Sequence, residues 1–123
     1  MKKKVETAYG VIGLGRFGEA LAMMLAQSGH EVIAVDKDEK KVKEMRQYTD
    51  CAFVADNLSS DTLKEIGIQN CDVVIICIGE KVDVSVLTTM SVIEMGVPRV
   101  IAKALSPEHE SAVRLENPSD RAV

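Results

Sequence analysis

Gly13, Gly15 and Gly18 punctuate one short segment, Val11-Ile12-Gly13-Leu14-Gly15-Arg16-Phe17-Gly18, in a G-x-G-x-x-G pattern. Asp36 closes a second apolar run, Val32-Ile33-Ala34-Val35, at about the 20-residue distance at which an acid meets the ribose in dinucleotide folds. The chemistry these residues can do is recognition of phosphate and sugar. Gly13 permits a tight turn, Gly15 lets the backbone approach a pyrophosphate, and Gly18 lets a following helix pack closely on the preceding strand. The helix start offers unpaired N–H groups and a partial positive charge to phosphates. A carboxylate at Asp36 can accept both hydroxyls of an adenosine ribose, and its charge disfavours a 2′-phosphate, an exclusion that the neighbouring Lys37 weakens.

Arg16 stands in the first turn of that helix, where a cation opposes the helix dipole at a cost of about a few tenths of a kcal/mol. A bound phosphate reverses the sign, and guanidinium can hold it with two parallel hydrogen bonds. Six further positions fall at the carboxyl ends of strand-like runs, where an open α/β sheet binds its ligand. Asp56 and Asn57 either read an adenine edge or form a local turn. Gly79, after Ile78, lets backbone approach a ligand, whereas Glu80 either lines the site or starts a helix. Lys103 either reaches a phosphate or is solvated.

These groups need elements that bring them to one edge. Apolar runs alternate with helical patterns along the chain. Strands are predicted at Ala8–Leu14, Glu31–Asp36, Cys51–Ala55, Asp72–Ile78 and Val100–Ala104. Several are nearly continuous in Val, Ile, Ala and Cys, as parallel strands covered on both faces should be. Helices are predicted at Arg16–Gln27, Glu39–Gln47, Ser60–Ile66, Val82–Met95 and near Pro107–Leu115, with Gly29, Gly67 and Gly96 as stop signals. The expectation is a Rossmann-like α/β fold: a doubly wound parallel sheet of about five strands in order 3-2-1-4-5, with helices on both faces.

Two faces are also predicted. The first helix should bury Phe17, Ala20, Leu21, Met24 and Leu25. In the fourth, Val86, Leu87, Met90 and Ile93 should face the sheet. A second stripe, Val84, Thr88, Val92 and Met95, is left for self-association or for further burial within the monomer.

At 123 residues the chain can bury a real core as one domain, and its 46% hydrophobic and 28% charged residues are those of a globular protein. Net charge is −4, the only basic run is Lys2, Lys3 and Lys4, and 3% of residues are aromatic, so nucleic acid is not an expected partner. No apolar stretch approaches the roughly 18 residues that span a bilayer, and the start lacks the apolar core of a signal peptide, so a cytoplasmic protein without membrane insertion is expected. Cys51, Cys71 and Cys77 fit no C-x-x-C motif or even disulfide framework, and Cys51 and Cys77 read as buried free thiols. His30 and His109 lie far apart in sequence, and no metal-ligand cluster is present.

Catalytic signatures are missing. No Y-x-x-x-K pair exists, since Tyr9 is followed at that spacing by Gly13 and Tyr48 by Ala52. There is no G-x-S-x-G elbow, and the Gly10–Phe17 segment lacks the G-K-[ST] ending of a P-loop. A nucleotide site without a catalytic partner reads as a sensor rather than an enzyme. The alternative reading is a small NAD-dependent oxidoreductase or a redox-sensing NADH-binding domain.

The segments V-I-G-L-G-R-F-G at 11–18, G-H-E-V-x-A-V-D at 29–36, A-D-N at 55–57, I-G at 78–79, L-T-T at 87–89 and A-K-A at 102–104 resemble one family. It is the N-terminal lobe of RCK domains, also called KTN or TrkA-N, the cytosolic regulators of bacterial potassium uptake systems. The resemblance covers roughly residues 8 to 115. It implies a Rossmann lobe that binds ATP, ADP, NAD or NADH and forms dimers that build an octameric ring. That ring docks beneath a membrane potassium-conducting subunit, peripheral to the inner face of the membrane, and nucleotide exchange gates potassium flow. By position, Gly13, Gly15, Arg16, Phe17 and Gly18 would hold phosphates and Asp36, beside Lys37, the ribose. Asp56 and Asn57 would approach adenine, and Ile78, Gly79, Glu80 and Lys103 would line the rest. Residues 1–116 then form the nucleotide-binding lobe. The polar segment 117–123 departs from the family's continuation into a sixth strand, a crossover helix and a C-terminal lobe.

Overall fold

The computed structural model describes residues 7–79 and 82–103, together with the backbone of Ala112–Glu116. Strands β1 (Ala8–Ile12), β2 (Glu31–Asp36), β3 (Ala52–Val54), β4 (Val73–Ile76) and β5 (Arg99–Lys103) are parallel, and β6 (Ala112–Glu116) runs antiparallel along β5. The sheet order is β3-β2-β1-β4-β5-β6, which contains the predicted 3-2-1-4-5 and adds one edge strand. Helices are α1 (Arg16–Gln27), α2 (Glu39–Met45), α3 (Ser60–Ile66) and α4 (Val82–Glu94).

Successive strand residues point to opposite faces, and the sheet has two cores accordingly. Val11, Ala34 and Ile75 pack on one side with Ala22 of α1 and with Val42 and Met45 of α2. Ile12, Val35, Val74 and Ile76 pack on the other with Leu63 of α3 and Val92 of α4. Each fully buried Val, Leu, Ile or Met side chain contributes about 1.5–3 kcal/mol of transfer free energy. Both faces are thus covered, which is why the strands read as unbroken apolar runs.

Three expectations are corrected. The helix expected near Pro107–Leu115 is overturned where it overlaps described residues: 112–116 form β6, pairing Arg99 with Glu116 and Lys103 with Ala112. An open edge of β5 offers a ladder of unpaired backbone groups, and a strand satisfies it where a helix cannot.

The stripe on α1 is rotated. Gly18 and Ala22 are buried, Leu21 and Leu25 pack against the core, and Phe17 and Met24 are about half exposed. Gly18 touches the β1 turn so closely that it sets which face looks inward.

The faces of α4 are inverted except at Ile93, which packs against the core as expected. Ser85, Thr88, Thr89 and Val92 are buried, while Val82, Val86, Leu87 and Met90 are exposed, Leu87 by 64%. Small side chains bring the helix close to the sheet, and Thr89 Oγ1 donates to Ser85 O at 2.7 Å, so its hydroxyl is satisfied without water. Ranking positions by hydropathy alone picks the wrong face here. The remainder of the Pro107–Leu115 prediction lies outside the described residues. Among the described residues, no helix is long and apolar enough to cross a membrane.

Candidate nucleotide-binding site

All five parallel strands end at one edge, and β1 lies between β2 and β4, where the chain's winding reverses. The segment after β1 is fixed from both neighbours. The Gly13 N–H donates to Val35 O at 2.8 Å, and the Cys77 N–H donates to Ile12 O at 2.7 Å. Gly13 has φ +103°, and a Cβ there would stand 2.7 Å from the Cys77 carbonyl carbon and oxygen. A Cβ on Gly18 would overlap the Gly13 carbonyl oxygen. These two glycines are demanded by the fold itself.

Gly15 is different. Its φ is −70°, a value any residue adopts, and a Cβ would meet nothing within 4 Å among the described residues. A Cβ on Gly79, which follows β4, likewise meets nothing within 4 Å among the described residues. Neither backbone strain nor packing explains these two glycines. The room they leave lies outside the protein's own interior, where a ligand's phosphates would approach the backbone.

The start of α1 points into that room. Gly15 is its N-cap and makes no side-chain bond, and the first ladder bond runs from the Glu19 N–H to Gly15 O at 2.8 Å. The amides of residues 16–18 therefore have no carbonyl to reach inside the helix. Side chains cap the next two helices: Asp38 accepts from the Lys40 N–H, and Ser59 from the Thr62 N–H.

Asp36 stands beside the turn, part-buried. Its Oδ2 accepts from the Leu14 N–H at 2.6 Å and its Oδ1 from the Asp38 N–H at 2.7 Å. Each carboxylate oxygen has a further lone pair for a ribose hydroxyl. Lys37 is exposed next to it.

Arg16 is exposed on the first turn of α1, and the Phe17 ring beside it is 48% exposed. The Lys103 Nζ sits 5.7 Å from the centroid of that ring, a cation–π contact that brings the end of β5 to the turn. Ile78 packs against the core formed with α3 and α4. Glu80 lies outside the described residues. Asp56 and Asn57 follow β3 and are exposed. The Asn57 carbonyl accepts from the Ser59 N–H at 3.1 Å and from the Thr62 hydroxyl at 3.0 Å, so the local-turn reading of Asn57 is realised. Its amide nitrogen is the group left to face a base.

Two residues that sequence reasoning did not assign take part. Leu14 supplies the amide that Asp36 holds, a backbone contact with no side-chain signal. The Cys77 carbonyl is the wall against which Gly13 turns. Burial pushes the Cys77 thiol up to about 11 against the opposing charge of Lys103. It pushes Cys71 up to about 12, aided by Asp72, Glu31 and Cys51. Both are protonated packing groups at neutral pH. Cys51, expected to be buried, is exposed just before β3. Among the described residues no group of His, Cys, Asp or Glu could hold a metal ion.

A glycine turn feeding an uncapped helix, with an acid at the end of the second strand, defines a Rossmann-type domain of the nucleotide-binding class. The TrkA-N domain family matches residues 9–121, and the chain belongs to it. It is 40% identical over 113 residues to Ktr system potassium uptake protein C of Bacillus subtilis, covering 92% of this chain and 49% of that protein. To Ktr system potassium uptake protein A of Vibrio alginolyticus it is 40% identical over 102 residues, 83% of this chain and 46% of the other. The chain thus spans about half the length of the curated relatives it matches.

Among solved structures, the TrkA-N domain of the inner membrane protein YbaL from Escherichia coli superposes with a TM-score of 0.68 at 15% identity. That match covers 87% of this chain and 79% of the other. The V8 variant of an imine reductase from Myxococcus stipitatus, in complex with NAD+, superposes with a TM-score of 0.61 at 20% identity, over 81% of this chain and 32% of the reductase. These likenesses carry the fold alone.

Proposed function

We propose that this domain is the nucleotide-sensing lobe of a regulator of potassium uptake, binding one adenine nucleotide per protomer (ATP or ADP, or NAD or NADH) without turning it over. The observation that carries the reading is the pair of glycines, Gly15 and Gly79, that the fold does not need, beside the uncapped start of α1. Phosphates take the amides of α1, with Arg16 and Lys103 as charge partners, and Asp36 takes the ribose. Kinship to the Ktr potassium uptake proteins supports the transport role and a cytoplasmic site of action, peripheral to the inner face of the membrane, on a potassium-conducting subunit. The outward stripe of Val82, Val86, Leu87 and Met90 supports self-association into dimers and, through them, an octameric ring. Differential affinity of two ligands for two assembly states supplies the switching energy.

Thermal denaturation with ATP, ADP, AMP, NAD and NADH tests the reading, because a ligand that binds the folded state raises its midpoint by mass action. A rise with at least one of them is expected; none with any overturns it. Arg16→Ala should weaken ATP more than AMP, by about tenfold for a lost charge-assisted contact. Equal losses would remove Arg16 from the phosphate site.

A further inference from the structure

Asp36 is read above as a ribose acceptor, yet in the protein its carboxylate already holds two backbone amides. One of them, Leu14, lies inside the phosphate turn, between Gly13 and Gly15. That bond, at 2.6 Å, joins a side chain on β2 to the turn after β1. Leu14 itself is fully buried, so the turn is held at this one residue both by its side chain in the core and by its N–H to the carboxylate. The neighbouring bond from the Gly13 N–H to Val35 O comes from the same end of β2. A Cβ on Gly15 would meet no described atom within 4 Å, so side-chain packing does not fix the turn there.

We propose that Asp36 is a positioning residue for the phosphate turn as well as a ribose acceptor, so that sugar and phosphate recognition are coupled through one carboxylate. The inference rests on the nucleotide reading above. A hydroxyl that binds Asp36 restrains the carboxylate, and the carboxylate restrains the amides that meet the phosphates. The two roles predict opposite signs. If Asp36 serves the ribose alone, its neutralisation leaves a ligand without ribose hydroxyls unaffected, or tightens it by removing a negative charge near the phosphates. If it positions the turn, the same ligand binds more weakly.

The experiment compares ATP with 2′,3′-dideoxy-ATP on the wild type, Asp36→Asn and Asp36→Ala by calorimetry, with the Leu14 amide followed by NMR. Both variants are expected to weaken dideoxy-ATP by about fivefold to tenfold, the scale of one lost charge-assisted hydrogen bond, and ATP by more. The Leu14 amide proton should lie well downfield in the wild type and move upfield in the variants. Dideoxy-ATP binding that is unchanged or tighter in the variants overturns the inference while leaving the nucleotide reading intact. Should the variants fail to fold, a wild-type Leu14 amide at the shift of an unbonded N–H overturns it by itself. Wild-type protein that binds none of the adenine nucleotides overturns both.

Discussion

Helices α1 and α3 both begin at the carboxyl edge of the sheet, and they treat their free amides in opposite ways. At α3, Ser59 caps the Thr62 N–H and the Asn57 carbonyl gathers the Ser59 N–H and the Thr62 hydroxyl, so the turn closes on itself. At α1 the cap position is Gly15, no side chain among the described residues bonds the first turn, and a Cβ on Gly15 would meet no described atom within 4 Å. One start is finished by its own sequence. The other has no such side-chain cap, and exposed amides at a positive helix end are a setting that favours an anion.

The largest effect is expected at Gly18. Gly18→Ala would drive a methyl into the Gly13 carbonyl, and a cost of about 3 kcal/mol or more is expected, read as a large fall in the urea midpoint. A variant of wild-type stability would mean that the close approach of α1 to the β1 turn is not required.

Gly15→Ser sharpens it by making α1 resemble α3. The new hydroxyl can cap the first turn and should change stability by only a few tenths of a kcal/mol, while its bulk fills the approach to the backbone. Nucleotide affinity should fall by about tenfold or more, equivalent to at least about 1.4 kcal/mol. Retained affinity would show that the space before Gly15 is not the phosphate subsite.

Ser59→Ala removes the self-satisfying cap and should cost about 1 kcal/mol of stability with nucleotide affinity unchanged. A matching loss of affinity would tie the β3–α3 loop to the ligand. A stability effect as small as that of Gly15→Ser is expected on the outer face of α4. Leu87→Asp, at an exposed position, should leave the unfolding free energy within about 0.5 kcal/mol while lowering the oligomer size seen by light scattering. An unchanged oligomer would remove that stripe from the assembly surface.

Much of the fold was legible because it depends on local periodicity. The runs at β2, α1 and α3 agree with the structure residue for residue, since continuous β-branched stretches and capped or glycine-led helices announce themselves. The faces of α4 were not legible. Its burial depends on how near the helix approaches the sheet, and small hydroxyl residues win that contact over larger apolar ones. The rotation of α1 was hidden for a related reason, as one glycine contact outweighs the hydrophobic pattern. Strand β6 required knowing that β5 had an unpaired edge.

By itself, the sequence determined the glycine spacing, the acid at Asp36, the alternation that forces a parallel sheet, and kinship to the TrkA-N domains. The tertiary structure decided which glycines the fold consumes and which it leaves over. Gly13 and Gly18 answer to neighbours brought in from the segment after β4 and from the turn itself, whereas Gly15 and Gly79 answer to none among the described residues. That distinction cannot be read along a chain, because it is a matter of what lies across space from each missing side chain.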